Sequence, residues 1–289
     1  MSARSNENRL GAPPTPTEVD TGFKQPSMEG DSLKFITPTE FAELPSKGHF
    51  YPPDHPLFKQ EVVEIKHMTT KEEDILTSVA LLKKGLALDR MLESIIVDKR
   101  IKTDNLLVGD KNALLVAARA HGYGAAYETA ITCPRCDATQ DYSFDLSALK
   151  IQFPSDEFMA EHEIKRTEVG TFLIPLPKTQ YTIEVRFLTG RDEKKILEAQ
   201  AHKKKMNFPE TPASDFLRLV IVSVNDIKNA TSLNDFINTL PALHSRYIKR
   251  MYEKLIPSLD MNHSFSCSVC TYEGALEVPL TADFFWSIS

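Results

Sequence analysis

An α+β fold follows from three features of the sequence. Apolar residues recur with helical period between residues 75 and 120. A hairpin pattern followed by more helical patterns fills residues 171 to 255. Two Cys-x-x-Cys pairs, far apart in the chain, each sit between β-like flanks. The expected architecture is an N-terminal helical unit, a four-cysteine, zinc-ribbon-like β element built from two distant knuckles, and an inserted α/β subdomain between them. The matching boundaries are 1–33 for a disordered tail, 34–130 for a mainly helical domain, 131–150 with 257–289 for the β element, and 151–256 for an inserted hairpin-plus-helices subdomain.

In chain order, residues 1 to 33 are polar and carry Pro13, Pro14, Pro16 and Pro26, with too little apolar surface to offset the entropy of ordering. From Phe35 to Phe58 the prolines of Leu44-Pro45-Ser46-Lys47-Gly48-His49-Phe50-Tyr51-Pro52-Pro53 exclude a helix or central strand, so this stretch reads as irregular. Its aromatic residues are suited to pin an extended segment onto the core. Glu61 to Met68 reads as a strand with Val63 and Ile65 on one side.

Thr70-Lys71-Glu72-Glu73 fits a capping box. The helix behind it places Ile75, Leu76, Val79 and Leu82 on one face and ends at Gly85. A second helix carries Leu88, Met91, Leu92, Ile95 and Ile96. A third, with Asp110 as N-cap, carries Ala113, Leu114, Val116, Ala117 and Ala120 and stops at Gly122-Tyr123-Gly124. Thr171 to Leu176 and Tyr181 to Leu188 form a hairpin, and Pro175 argues that its first strand lies at an edge. Further helices run from about Arg191 into His202-Lys203-Lys204-Lys205, from about Ala213 to Val224, and from about Pro241. The last presents Leu243, Tyr247, Ile248, Met251, Tyr252 and Leu255 on one face. No fixed-period repeat is present, although the two cysteine hairpins resemble each other.

The chemistry concentrates in Cys133-Pro134-Arg135-Cys136 and Cys267-Ser268-Val269-Cys270, which hold all four cysteines of the chain. A two-residue gap lets both thiolates of a pair point at one ion, and two such knuckles facing each other make a closed four-thiolate zinc site. A closed site has no open position for water, so the zinc expected at Cys133, Cys136, Cys267 and Cys270 is structural. Roughly 130 residues separate the pairs, which fits if the intervening segment is an inserted subdomain stapled at its ends. A redox pair is disfavoured because neither motif lies in a βαβ context, and free thiols are the remaining alternative. His263, four residues before Cys267, could substitute as a ligand, although capping or solvation explains it more simply.

Other features exclude more than they assign. With 34 basic and 40 acidic residues the chain carries a net charge of −6, which argues against bulk-charge binding of nucleic acid. Carboxylates follow each knuckle, namely Asp137 and Asp141, and Glu273 and Glu277, and these would repel a phosphate backbone. A zinc-ribbon nucleic-acid module is the competing reading. Lys194, Lys195 and His202 to Lys205 make a basic helix end that suits the helix dipole or a contact with phosphate or an acidic protein. Arg246, Lys249, Arg250 and Lys254 read the same way. Gly122-Tyr123-Gly124 ends a helix and is no phosphate loop, and no His-Glu-x-x-His or Gly-x-Ser-x-Gly motif occurs. No catalytic site, and so no small-molecule substrate, is expected. No apolar run is long enough for a membrane span, and the polar N-terminus predicts no signal peptide.

Four blocks in order carry a family resemblance: Leu44-Pro-Ser-Lys-Gly-His-Phe-Tyr-Pro52, Val63 to Leu76 (VEIKHMTTKEEDIL), Gly109 to Gly124 (GDKNALLVAARAHGYG) and Thr132-Cys-Pro-Arg-Cys136. Together they resemble the baseplate hub assembly family of T4-like contractile-tailed bacteriophages, well over residues 35 to 150 and loosely beyond. The resemblance implies a non-enzymatic role in building the central baseplate hub, as chaperone or hub component. It also implies baseplate hub proteins as partners, and the host cytoplasm during assembly as the location, with the finished virion tail as a second one. The Phe50-Tyr51 segment and the N-terminal tail are candidates for partner contact.

Overall fold

In the computed structural model the described residues are 36–209, 211–280 and 282–285. The expected disordered tail over 1–33 falls outside them. The residues from Thr37 onward make one compact unit. Helices and strands are mixed, as expected for an α+β chain.

Strand β1 (Thr39–Glu43) pairs antiparallel with β2 (Val62–Lys66), with Ala42 opposite Val63. β1 was unforeseen in a stretch read as irregular, whereas β2 buries Val63 and Ile65 on one face as expected. Helices α1 (Thr70–Thr77), α2 (Val79–Lys83) and α3 (Ala87–Ile95) come next. The cap of α1 is Thr69 rather than Thr70: Glu72 Oε2 accepts from the Thr69 N–H at 2.9 Å and from its hydroxyl at 2.5 Å. The single helix expected through Leu82 breaks at Ser78, whose ψ of 106° is extended. α1 packs on α3, while Val79 and Leu82 beyond the break are solvent-facing.

Helix α4 (Val108–Tyr123) is the centre of the molecule. It touches β1, α3 and several later elements, and its buried side includes Leu114, Leu115, Val116 and Ala118. It begins three residues after a short turn, with Leu107 as cap, so Asp110 is not the N-cap. Asp110 instead lies inside the first turn and is fully buried. It accepts from the Ser46 N–H at 2.9 Å, the Ser46 hydroxyl at 2.6 Å and the Tyr51 hydroxyl at 2.7 Å. The Tyr51 oxygen accepts in turn from the Leu107 N–H at 3.1 Å. Phe50 and Tyr51 are therefore core residues. They are not free for the partner contact expected of them, because Phe50 packs among Phe172, Phe187 and Phe153 and Tyr51 is committed to Asp110. Gly109 is required where it stands, since a Cβ there would lie 1.9 Å from the Pro257 carbonyl oxygen.

Two hairpin strands, β3 (Ala126–Thr132) and β4 (Thr139–Asp145), lead into β5 (Ile151–Gln152) and α5 (Asp156–Glu161), which Ser155 caps. Beyond them lies a four-stranded antiparallel sheet in the order β6 (Lys165–Arg166), β7 (Phe172–Pro175), β8 (Thr182–Val185), β9 (Ile221–Val224). The β7–β8 hairpin is the expected one. Its first strand is not an edge strand, however: β6 pairs only with Phe172 and Leu173, and Pro175 lies beyond the reach of that pairing. Helix α6 (Gly190–Lys205) has Thr189 as cap. The helix expected over 213–224 divides into α7 (Pro212–Val220), with proline at its start, and strand β9.

Helix α8 (Ala230–Thr239) was not foreseen; Asn229 caps it, accepting from the Thr231 and Ser232 N–H groups. Helix α9 (Ala242–Leu255) buries Ile248, Met251, Tyr252 and Leu255 as expected, but Leu243 in its first turn is 73% exposed. β10 (Ser258–Leu259) pairs with β5, and the chain returns through the hairpin β11 (Asn262–Ser266) and β12 (Glu273–Glu277). One hydrophobic cluster runs from Ala42 to Phe285 through most of these parts, and a smaller one lies between the cysteine hairpins. No helix among the described residues is long and apolar enough to cross a membrane.

The Asp110 node yields a stability test. Asp110→Ala leaves three interior donors without an acceptor and is expected to cost about 3–5 kcal/mol, against roughly 1–2 kcal/mol for Asp110→Asn. Burial lifts the Asp110 carboxyl above its ordinary value, although the Ser46 and Tyr51 hydrogen bonds favour the anion. A carboxyl raised in the folded state binds its proton more tightly there than in the unfolded chain. Its contribution is therefore complete below the ordinary value of 3.8 and is lost as pH rises through the folded-state value. Thermal melts across the acid-to-neutral range should show the gap between wild type and Asp110→Asn narrowing as pH rises.

Candidate metal centre

Each cysteine pair lies in the turn of a β-hairpin. β3 and β4 register with Thr132 opposite Thr139, and β11 and β12 with Ser266 opposite Glu273. The two turns close alike. The Cys133 N–H donates to the Ala138 carbonyl at 2.9 Å, and the Cys267 N–H to the Tyr272 carbonyl at 2.8 Å. The first sulfur of each pair accepts a backbone N–H two residues on, from Arg135 and from Val269, both at 3.4 Å. The residue after each second cysteine is left-handed, Asp137 and Thr271 both having φ of 56°. A left-handed residue there lets the chain turn back into the returning strand.

The structure brings the two turns together. Cys133 Sγ lies 3.7 Å from Cys270 Sγ, and Cys136 Sγ 3.7 Å from Cys267 Sγ. All four sulfurs lie within 4.8 Å of one another. These separations are far from a disulfide bond, and the four cysteines are free. Four sulfurs set tetrahedrally at about 2.3 Å from one ion would lie about 3.8 Å apart, so the donor set and its spacing are compatible with a metal site. Cys133 and Cys267 are buried, Cys136 is exposed and Cys270 half-buried.

Electrostatics divides the four thiols. The backbone N–H groups of Val269 and Cys270, aimed at the Cys267 sulfur, lower its thiol to about 6. The Ala138 N–H favours the Cys136 thiolate, but the crowding sulfurs of Cys270, Cys133 and Cys267 and partial desolvation push that thiol up to about 12. Desolvation raises Cys270 as well. The sulfurs thus sit close enough for their ionisation to be linked, favoured at Cys267 and opposed at Cys136 and Cys270.

Side chains bind the two hairpins to each other. Gln140 Nε2 donates to the Ser266 carbonyl at 3.3 Å, and its Oε1 accepts from the Ser268 N–H at 2.9 Å and the Ser268 hydroxyl at 3.1 Å. The Tyr142 hydroxyl donates to the Ser264 carbonyl at 2.7 Å. Phe265 sits with Cys133 and Cys267 in a small cluster that takes in Ile131, Tyr142, Tyr272 and Leu276. Gln140 and Tyr142 were missed because alternate polar residues on an exposed strand give no signal of a cross-hairpin role. His263 does not join the cluster; its ring lies edge-on to Phe144 at 5.0 Å.

The family described as T4 bacteriophage base plate protein has a model that matches residues 37–286. No curated protein and no solved structure matches the chain.

The left-handed Thr271 supplies a test of the knuckle geometry. A β-branched residue at positive φ is strained, and the Thr271 side chain is exposed, so little packing is lost on removing it. Thr271→Gly is expected to raise stability by up to about 1 kcal/mol in denaturant unfolding. A loss of stability would show that the threonine side chain, rather than the backbone twist, matters there.

Proposed function

The chain belongs to the family of T4 bacteriophage base plate proteins, and from that premise we propose that it is a non-enzymatic morphogenesis protein of the central baseplate hub, acting through protein contacts. The match over 37–286 carries this reading, because it takes in the whole described body and both cysteine pairs. Its partners are other baseplate hub proteins, met in the host cytoplasm during assembly.

The four cysteines hold a structural zinc in a zinc-ribbon-like element of residues 131–150 and 257–289, which closes the inserted segment 151–256 at its ends. The donor set supports zinc: four thiolates leave no position for water and suit a soft, tetrahedral ion. When bound, the ion neutralises the thiolates and crosslinks the hairpins, with a contribution on the order of 10 kcal/mol to folding. A nucleic-acid role is not supported, since Glu128, Asp141, Glu273 and Glu277 are exposed on the two hairpins and would repel phosphates.

Two measurements test this. Protein purified without added metal should carry about one zinc per chain, and Cys133→Ser and Cys267→Ser should each lose the ion together with folded stability. Four titratable thiols and no metal in the wild type would remove the zinc without touching the assembly role. Coexpression of the hub proteins with and without this chain tests assembly. The hub complex should fail to form, or form at well below a tenth of the yield, when the chain is omitted. An unchanged yield would overturn the assembly reading.

A further inference from the structure

Most of the charges at the start of α6 are paired. Asp192 takes two N–H groups of Arg186 at 2.7 and 2.9 Å, Glu193 lies 2.7 Å from Lys111, and Lys194 meets Asp89 and Asp104. Arg191 and Lys195 are the exceptions. Both are exposed, and among the described residues neither meets a carboxylate; Arg191 donates only to the Asn105 side-chain oxygen, at 3.2 Å. The two lie four positions apart and so share one face of the helix. Both placements are locally unfavourable. Like charges at this spacing repel, and a cation in the first turn, where Arg191 stands, opposes the helix dipole.

Arg191 and Lys195 both line one cavity of about 740 Å³, a volume typical of small-ligand sites. Its walls come from four stretches of chain, 50–56, 105–107, 169–171 and 186–195. Gly170 lets two of them meet: its φ is 82°, and a Cβ there would lie 3.0 Å from Phe50 Cα. The polar lining is weighted toward donors. His55 Nδ1 accepts the Leu57 N–H at 3.1 Å, which leaves Nε2 as the donor of the neutral ring. Burial lowers that ring from its ordinary value, against the opposing pull of Asp54, so the neutral form prevails near pH 7. Of the two lining carboxylates, Asp192 is occupied by Arg186 and the Thr189 N–H. Asp54 alone is left against two free cations. Phe50, Leu107, Phe187 and the 65% exposed Val169 add apolar surface to the same space.

We propose that this cavity binds a small anionic ligand, a phosphate or carboxylate carried on an apolar group. The anion meets Arg191 and Lys195 and relieves the repulsion between them, while the apolar group lies against Phe50, Leu107 and Val169. The cations select against a neutral molecule, because two charges four positions apart on one helix face gain a shared counter-ion only from an anion. The apolar lining selects against a bare inorganic ion, which would leave that surface in water. The site goes beyond the assembly reading and is tested without reference to the hub or to zinc.

Isothermal titration calorimetry on the full chain tests this with four probes. Phenyl phosphate and phenylacetate carry the two head groups, benzyl alcohol is their neutral counterpart, and inorganic phosphate is the bare anion. At least one of the first two is expected to bind saturably, about tenfold or more tighter than benzyl alcohol and inorganic phosphate, and which one binds identifies the head group. Arg191→Gln and Lys195→Gln should each weaken that binding by about tenfold. Lys204→Gln removes an exposed charge of the same helix outside the cavity and should leave the Kd within about twofold. Without ligand, the first two variants should melt no lower than wild type, since each removes one of two repelling cations. Should either melt lower, Val169→Glu takes its place: it adds a carboxylate to the lining from an exposed position and should weaken the anionic probe alike. The proposal is overturned if neither anionic probe binds, or if benzyl alcohol or inorganic phosphate binds as tightly. It is equally overturned if the cavity variants bind as wild type does, or if Lys204→Gln weakens binding as much as they do.

Discussion

The fold depends on burying α4 on every side. A helix in that position must be apolar nearly all round, yet α4 carries Asp110, Lys111 and Arg119 into the interior. Each is satisfied by a different part of the chain. Ser46 and Tyr51 reach Asp110, so the proline-rich segment ahead of β2 is tied to the first turn of α4. Lys111 lies 2.7 Å from both Asp89 and Glu193, which joins α3, α4 and α6. Arg119 donates to the carbonyls of Gly124 and of Phe284, drawing the C-terminal segment onto the end of the helix. An unpaired interior charge costs several kcal/mol, so these three contacts fix the relative placement of segments that have little else in common.

That arrangement decides which surfaces remain available. The same Asp89 that meets Lys111 lies 3.0 Å from Lys194, and Lys194 also pairs with Asp104. These contacts clamp the first half of α6, and the Arg186–Asp192 pair clamps its start. Burial alone would raise the Asp192 carboxyl, but the Arg186 guanidinium and the Thr189 N–H hold it at about 2. The clamp ends within two turns. Past that point Lys203, which pairs with Asp215 ahead of α7's second turn, is the one half-buried residue up to Lys205, and the others are exposed.

The sequence made legible those features that depend on local pattern. The strand at Val63 and Ile65, the β7–β8 hairpin, the helix running into Lys203, Lys204 and Lys205, and the apolar face of α9 arise from period and turn chemistry. The cysteine spacing was enough to place all four thiols in one cluster across 131 positions of chain. The failures have physical causes. Asp110 has the composition of a cap, but its partner lies 64 positions away. Residues 229 to 239 are rich in types that compete with the helical backbone, so α8 reads as a loop until its cap is seen. The break at Ser78 answers to the packing of α1 on α3, a tertiary demand with no local signature. Gln140 and Tyr142 look like solvent-facing residues because their partners belong to the other hairpin.

The two hairpins that carry the thiols are small. A two-stranded ribbon is marginal by itself in water. Here each hairpin is short, its outward positions are polar or alanine, and the shared apolar cluster amounts to Phe265, two cysteines and a few half-buried neighbours. Gln140 and Tyr142 supply three side-chain bonds to the backbone of residues 264 to 268 and one to the Ser268 hydroxyl, each modest on its own. Meanwhile the four sulfurs are held within 4.8 Å of one another. A cation held by all four, as proposed above, would add a crosslink between the hairpins at that point. β10 joins β5 just beside them, so backbone pairing also closes the stretch of chain between the two hairpins. The cysteine cluster therefore makes structural sense at the junction where a long excursion of the chain leaves and returns.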